Sequence, residues 1–180
     1  MNTPSSQIRA RSRWEVIEID LNWLFYALVY NLWLILKGNL SVGYQALFYN
    51  TTGYRNSAVG SQSLANNTTG IQNSGIGFQA LYSNTTSDNS AFGYKALTAN
   101  TTGAFNVAVG YISLQSNTRG SYNTAVGYNS LSANTFGNYN SAFGYKALNS
   151  NTTGNRNSAF GYSSLRLNTI GIRNTAFGYA

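Results

Sequence analysis

Residues 140–156 read Asn-Ser-Ala-Phe-Gly-Tyr-Lys-Ala-Leu-Asn-Ser-Asn-Thr-Thr-Gly-Asn-Arg, and this phrase recurs along most of the chain. Copies open at Asn39, Asn56, Asn73, Asn89, Asn106, Asn123, Asn140, Asn157 and Asn174. Seven of the eight spacings are 17 residues; the third copy is one residue short, at Thr85-Thr86-Ser87-Asp88. Eight copies are complete and a ninth stops at Ala180. Self-similarity at a fixed period identifies a repeat array before any other reading of a sequence.

The fixed positions say what kind of array. The fourth is always apolar, from Val42 to Phe177, and the fifth is always glycine, from Gly43 to Gly178. The sixth is Tyr or Phe except at Ser61. The eighth is Ala or Ser, and the ninth is always Leu, from Leu47 to Leu165. The twelfth and thirteenth are always Asn-Thr, and the fifteenth reads as Gly except at Ser87. A helical hairpin repeat needs about 34 residues, so 17 are too few. They suit one coil of a parallel β-solenoid or β-roll: a short strand, a turn, a second short strand and a second turn. Alternating small and large residues in Ala-Val/Phe-Gly-Tyr carry the period of two that marks a strand. Asn-Thr-Thr-Gly is turn chemistry, because Asn bonds its own backbone and Gly accepts a left-handed conformation.

Stacking then follows. Coils in such a fold lie about 4.8 Å apart, so each residue sits on its equivalent. The leucines become an apolar ladder and the asparagines become side-chain amide ladders. Eight coils make a rod of about 40 Å. No coil buries its apolar face alone, so stability is a sum over neighbours. The expected class is all-β: about eight 17-residue coils over 39–180, preceded by a different segment, 1–38. The last copy ends in mid-coil, which points to a fragment or to an oligomer that covers the open edge.

The Asn-Ser-Ala-Val/Phe-Gly core resembles the head repeats of YadA-like trimeric autotransporter adhesins. Asn-Thr-Thr-Gly and Ala-Phe-Gly-Tyr arrays are also similar to those of phage and viral fibre proteins. The resemblance covers residues 39–180. It implies a left-handed parallel β-roll, three chains joined as a homotrimer, and a cell-surface or virion location. Host matrix or cell-surface molecules are the partners it implies. The departures are a repeat longer than the family's usual one of about 14 residues, no visible heptad stalk, and no visible C-terminal membrane anchor. Two features of the residues themselves point to self-association. Glycines of the Gly43 type and small residues of the Ala46/Ser63 type allow close packing. The Phe and Tyr ladders leave an apolar patch on a monomer, and such patches mark interfaces. The competing reading places those ladders inside the coil.

In residues 1–38, Arg9, Arg11 and Arg13 precede Glu15, Glu18 and Asp20, and 21–36 is almost wholly apolar. Basic residues before an apolar run are export-signal chemistry. Against that stand the three acids, the lack of a small-residue cleavage site, and a length of about 24 Å as a helix, short of a bilayer core of about 30 Å. The segment is thus an export or anchor element, a helical cap on the first coil, or foreign sequence added by a mis-set start. Membrane contact is expected only through 21–36.

Chemistry has few residues to use. The chain has no His and no Cys, and charged residues are 8% of the total. That removes imidazole bases, thiol nucleophiles, disulfides and the usual zinc ligands. Glu15 and Glu18 could share a helix face, but they sit outside the repeats and read as a solvated face. Asp88 is a lone acid, and calcium asks for six or more oxygens. The glycines lack the spacing that cradles phosphate. No catalytic, cofactor-binding or metal-ligating residue is assigned, and the chain is expected not to be an enzyme. The net charge of +7 invites anionic partners. Past residue 38, however, the charges are dispersed, as Arg55, Lys95, Arg119, Lys146, Arg156, Arg166 and Arg173 against Asp88, and nucleic acid is not expected. Asn39, Asn50, Asn66, Asn67, Asn84, Asn100 and Asn151 match the glycosylation sequon. The repeat generates most of these, and packing in a column accounts for the asparagines better than glycans do. The column from Thr51 to Thr169 supports an ice-binding alternative, roughened by Arg119, Phe136 and Ile170 in the adjacent column. The function expected first is a non-catalytic structural or adhesive rod, with a phage or viral fibre shaft and an ice-binding solenoid as alternatives.

Overall fold

The computed structural model describes residues 25, 28–30, 32 and 35–179. The chain divides into two compact units, Met1–Leu36 and Lys37–Ala180. In the first, the described residues are helical. Arg9, Arg11, Arg13, Glu15, Glu18 and Asp20 lie outside the described residues, and so do most of the readings of 1–38. Among the described residues no helix is long and apolar enough to cross a membrane.

The second unit is a parallel β-solenoid. Each copy contributes one three-residue strand at positions two to four: β1 (Leu40–Val42), β2 (Ser57–Val59), β3 (Ser74–Ile76), β4 (Ser90–Phe92), β5 (Val107–Val109), β6 (Thr124–Val126), β7 (Ser141–Phe143), β8 (Ser158–Phe160) and β9 (Thr175–Phe177). They form one sheet in sequence order, every pair parallel. Register follows the repeat, with Ala91 on Ala108 and Phe92 on Val109. The middle residue points inward: Ala58, Ala91, Ala108, Ala125, Ala142 and Ala159 are fully buried. Its two neighbours point out, as the pleat requires.

The interior is narrow and filled by few residue types. Leu47, Leu64, Leu81, Leu97, Leu114, Leu131 and Leu148 are fully buried and pack on the inward alanines. The eighth-position residues are buried as well, among them Ala80, Ala96, Ser113 and Ser130. The small eighth-position residues, which the sequence suggests for close packing between chains, are therefore used inside this chain. The Phe and Tyr of positions four and six lie on the outside, which rules out the reading that they fill the coil.

The second side of the coil is not a strand, contrary to the sequence reading. Positions seven, nine and 17 adopt left-handed backbone in every complete copy, with φ between 49° and 61°. Hydrogen bonding explains why. The N–H groups of positions five and seven donate to the preceding coil, as in Gly110 to Phe92 (2.8 Å) and Ile112 to Tyr94 (2.9 Å). Those of positions nine and 11 donate to the following coil, as in Leu97 to Ser113 (3.1 Å) and Ala99 to Gln115 (3.1 Å). The direction of donation reverses across position eight, and an extended strand cannot make that reversal. A series of turns can, at the expense of left-handed conformations that non-glycine residues avoid.

The fifth-position glycine is a geometric necessity. Its φ lies between +119° and +139° throughout. A Cβ on Gly43 would stand 2.7 Å from the backbone of Gly60 in the next coil. Close approach runs along the axis, from coil to coil.

The short copy corrects an alignment. Thr86 O accepts from Asn73 Nδ2 (2.7 Å) and Asn84 Nδ2 (2.8 Å). In the preceding coil those roles belong to the Gly70 carbonyl, which accepts from Asn56 and Asn67. Ser87 Oγ accepts from Ile71 N, as Ser121 Oγ does from Ala104 N. The missing residue is thus position 14, and Thr86 rather than Ser87 stands in the glycine column.

Candidate functional surface

Buried asparagines hold the coils in register. At position one, each backbone N–H donates to the Oδ1 one coil back, from Asn56 to Asn39 (2.9 Å) through Asn174 to Asn157 (3.0 Å). From Asn39 to Asn157, each Nδ2 reaches the fifteenth-position carbonyl of its own coil, as Asn123 reaches Gly137 O (2.8 Å). At position 12, Asn117 Nδ2 donates to Asn100 Oδ1 (2.8 Å) and Asn134 Nδ2 to Asn117 Oδ1 (2.8 Å). These shared hydrogen bonds offset the desolvation of a buried amide column. Asn50 Oδ1, in the first coil, is the one buried side-chain polar atom without a partner among the described residues.

This arrangement settles where the sequon residues sit. Asn39, Asn50, Asn67, Asn84, Asn100 and Asn151 are buried. The Nδ2 of each is hydrogen-bonded. Asn66, at position 11, stands apart and is half-buried on the outside. Asp88 occupies position 17 of the shortened turn, and no group of three acidic, His or Cys residues comes together among the described residues. The threonine column is outward, but its hydroxyls are engaged. Thr51, Thr85, Thr101, Thr118, Thr135 and Thr152 each donate Oγ1–H to the threonine carbonyl of the next coil, at 2.9–3.2 Å.

The outer surface carries three aromatic ladders. At position six, Phe78, Tyr94, Tyr111, Tyr128, Tyr145, Tyr162 and Tyr179 stack at 4.8–5.4 Å between centroids, within 13° of parallel. At position four, Phe143, Phe160 and Phe177 stack at 5.0 and 4.9 Å. At position 17, Phe105, Tyr122 and Tyr139 stack at 4.9 Å. Position four presents an apolar stripe along the outer face of the sheet, with Val42, Ile76, Phe92 and Val109 exposed. Tyr94, Tyr111, Tyr128 and Tyr145 are also exposed. Sequence reasoning found the fourth- and sixth-position ladders, whose residue types repeat. It missed the one at position 17, where the residue type changes from copy to copy and only three successive copies are aromatic.

No protein-family model matches this chain, and neither the curated proteins nor the solved structures yield a match.

Proposed function

We propose that this protein is a non-catalytic structural rod, a spacer or adhesive shaft displayed at a cell or virion surface, in which solenoids associate side by side as a homotrimer. The supporting observation is the apolar stripe of position four beside the tyrosine ladder of position six. The stripe runs the length of the sheet, takes no part in closing the coil, and remains open to solvent in one chain. Continuous exposed apolar surface of that kind marks a contact with another molecule. A repeat fixes every copy's stripe in line, so two rods meet along their whole length and many weak contacts add. The surface and the partners assigned here are those the sequence resemblance implies.

Light scattering with crosslinking on the purified chain tests the reading. A trimer is expected. Val109→Lys with Phe143→Lys, both pointing out of the sheet, should yield a folded monomer with unchanged circular dichroism. A wild-type monomer at high concentration would overturn the trimeric shaft. Thermal hysteresis lost on Thr101→Tyr would replace it with the ice-binding alternative.

A further inference from the structure

Five cation–aromatic contacts occur among the described residues. Three join sequence neighbours: Arg55 with Tyr54, Lys95 with Tyr94, and Lys146 with Tyr145. The other two run between coils and converge on the same turn. Arg119, from coil five (106–122), lies over Phe136 at 5.7 Å. Arg156, from coil seven (140–156), lies over Tyr139 at 5.8 Å. Phe136 and Tyr139 belong to one turn of coil six (123–139). Two guanidinium groups are thus held over it, one from each neighbouring coil. All four side chains are exposed, and neither arginine is paired with a carboxylate among the described residues. Within Lys37–Ala180, Asp88 is the sole acid against the eight basic residues Lys37, Arg55, Lys95, Arg119, Lys146, Arg156, Arg166 and Arg173, so the whole formal charge of +7 belongs to this second unit.

We propose that this corner binds a linear acidic polysaccharide, with the Arg119 and Arg156 guanidinium groups taking its carboxylates or sulfates. A guanidinium resting on a ring keeps its planar fork pre-organised and its N–H donors free, the form that recognises oxyanions. The aromatic geometry selects sugar over nucleic acid. Binding a base needs an open ring face. Here Phe105, Tyr122, Tyr139 and Arg156 form one continuous stack, so the faces of Tyr122 and Tyr139 cover one another or carry the guanidinium. What the stack offers outward is ring edges and the hydroxyls of two tyrosines whose ring centroids are 4.9 Å apart. Hydroxyl donors beside fixed guanidinium groups suit a chain rich in hydroxyls and anionic groups. The inference deepens the surface-shaft reading and rests on it for where such a ligand is met. It does not rest on oligomeric state, which separate measurements report.

The test uses the intact chain in affinity electrophoresis at low salt. Alginate is the acidic probe, dextran its neutral counterpart, and single-stranded oligodeoxythymidylate the nucleic-acid probe. Alginate should retard the protein and dextran should not. Arg119→Ala with Arg156→Ala should weaken alginate binding by about tenfold or more. Lys95→Ala with Lys146→Ala removes the same net charge and should weaken it less than about twofold. Arg119→Lys with Arg156→Lys keeps charge and fold, and should still lose most of the affinity, because an ammonium lacks the fork. Unchanged circular dichroism identifies each variant as folded. Equal losses in the alanine pairs, tighter binding of the oligodeoxythymidylate, or no retardation by alginate would each overturn the proposal. A monomer that binds alginate would overturn the trimer and leave this site standing.

Discussion

The two sides of each coil are built on opposite principles. On the strand side, positions two to four take ordinary extended backbone and bond sideways into a parallel ladder. Ser, Ala, Val and Phe suit that geometry, and local preference agrees with the fold. On the turn side, Gln, Lys, Ile, Ser and Leu are forced into left-handed backbone at positions seven and nine. No local preference asks for that. The conformation is imposed from above and below, by hydrogen bonds to both neighbouring coils and by the buried leucine ladder. One side of the coil is therefore specified locally, and the other only by stacking.

The sharpest way to break this contrast is at the glycine that joins the two sides. Gly110 has φ +127°, and a Cβ there would stand 2.5 Å from Gly127 O. Gly110→Val meets both the left-half backbone and the next coil's main chain. The expected loss exceeds about 5 kcal/mol, beyond the range of ordinary single substitutions. Chemical denaturation should show coil five and both neighbours unfolding first. A variant of normal stability would show that the invariance of this position has another cause.

Leu97 tests the stacking term alone. It is fully buried and its N–H donates to Ser113 O. Leu97→Ala leaves a cavity in a narrow core and should cost about 2–5 kcal/mol in urea unfolding. No change in the midpoint would mean that the leucine column does not carry the turn side.

The same contrast explains what was legible in the sequence. The invariant leucines, alanines and asparagines disclosed the interior, because a column of identical residues has to be buried or bonded in the same way in every coil. Ala-Val/Phe announced the strand through its period of two. The turn side was not legible, since Leu97 at φ 52° and Lys95 at φ 52° contradict their own preferences and only the coil-to-coil hydrogen bonds dictate them. The short copy misled for a related reason: Ser87 looked like the glycine substitute by counting, but carbonyl geometry gives that place to Thr86. The Arg119 and Arg156 corner left no periodic trace, because Arg119 and Phe136 replace the second Thr of the turn in two successive copies and the residue type at position 17 changes from copy to copy.

The smallest expected effect is also the most discriminating. Ile112 sits at position seven with φ 49° and is half-buried. A β-branched residue at positive φ is an outlier in any protein, because its branched Cβ crowds the backbone. Asn tolerates that region, and Asn129 occupies the equivalent place in the next coil at φ 57°. Ile112→Asn exchanges some buried apolar surface for relief of strain and should raise stability by about 1 kcal/mol. The matching change on the strand side has the opposite sign. Val107 opens β5 and points outward at 37% exposure. There Val107→Asn removes a residue suited to the pleat and should lower stability by about 0.5–1 kcal/mol. The two variants lie five residues apart in one coil and replace a β-branched residue with the same amide. Thermal unfolding of both, side by side, should move the midpoint up for one and down for the other. A shift of the same sign in both would mean that the turn side carries no backbone strain, and that its left-handed residues are held without cost.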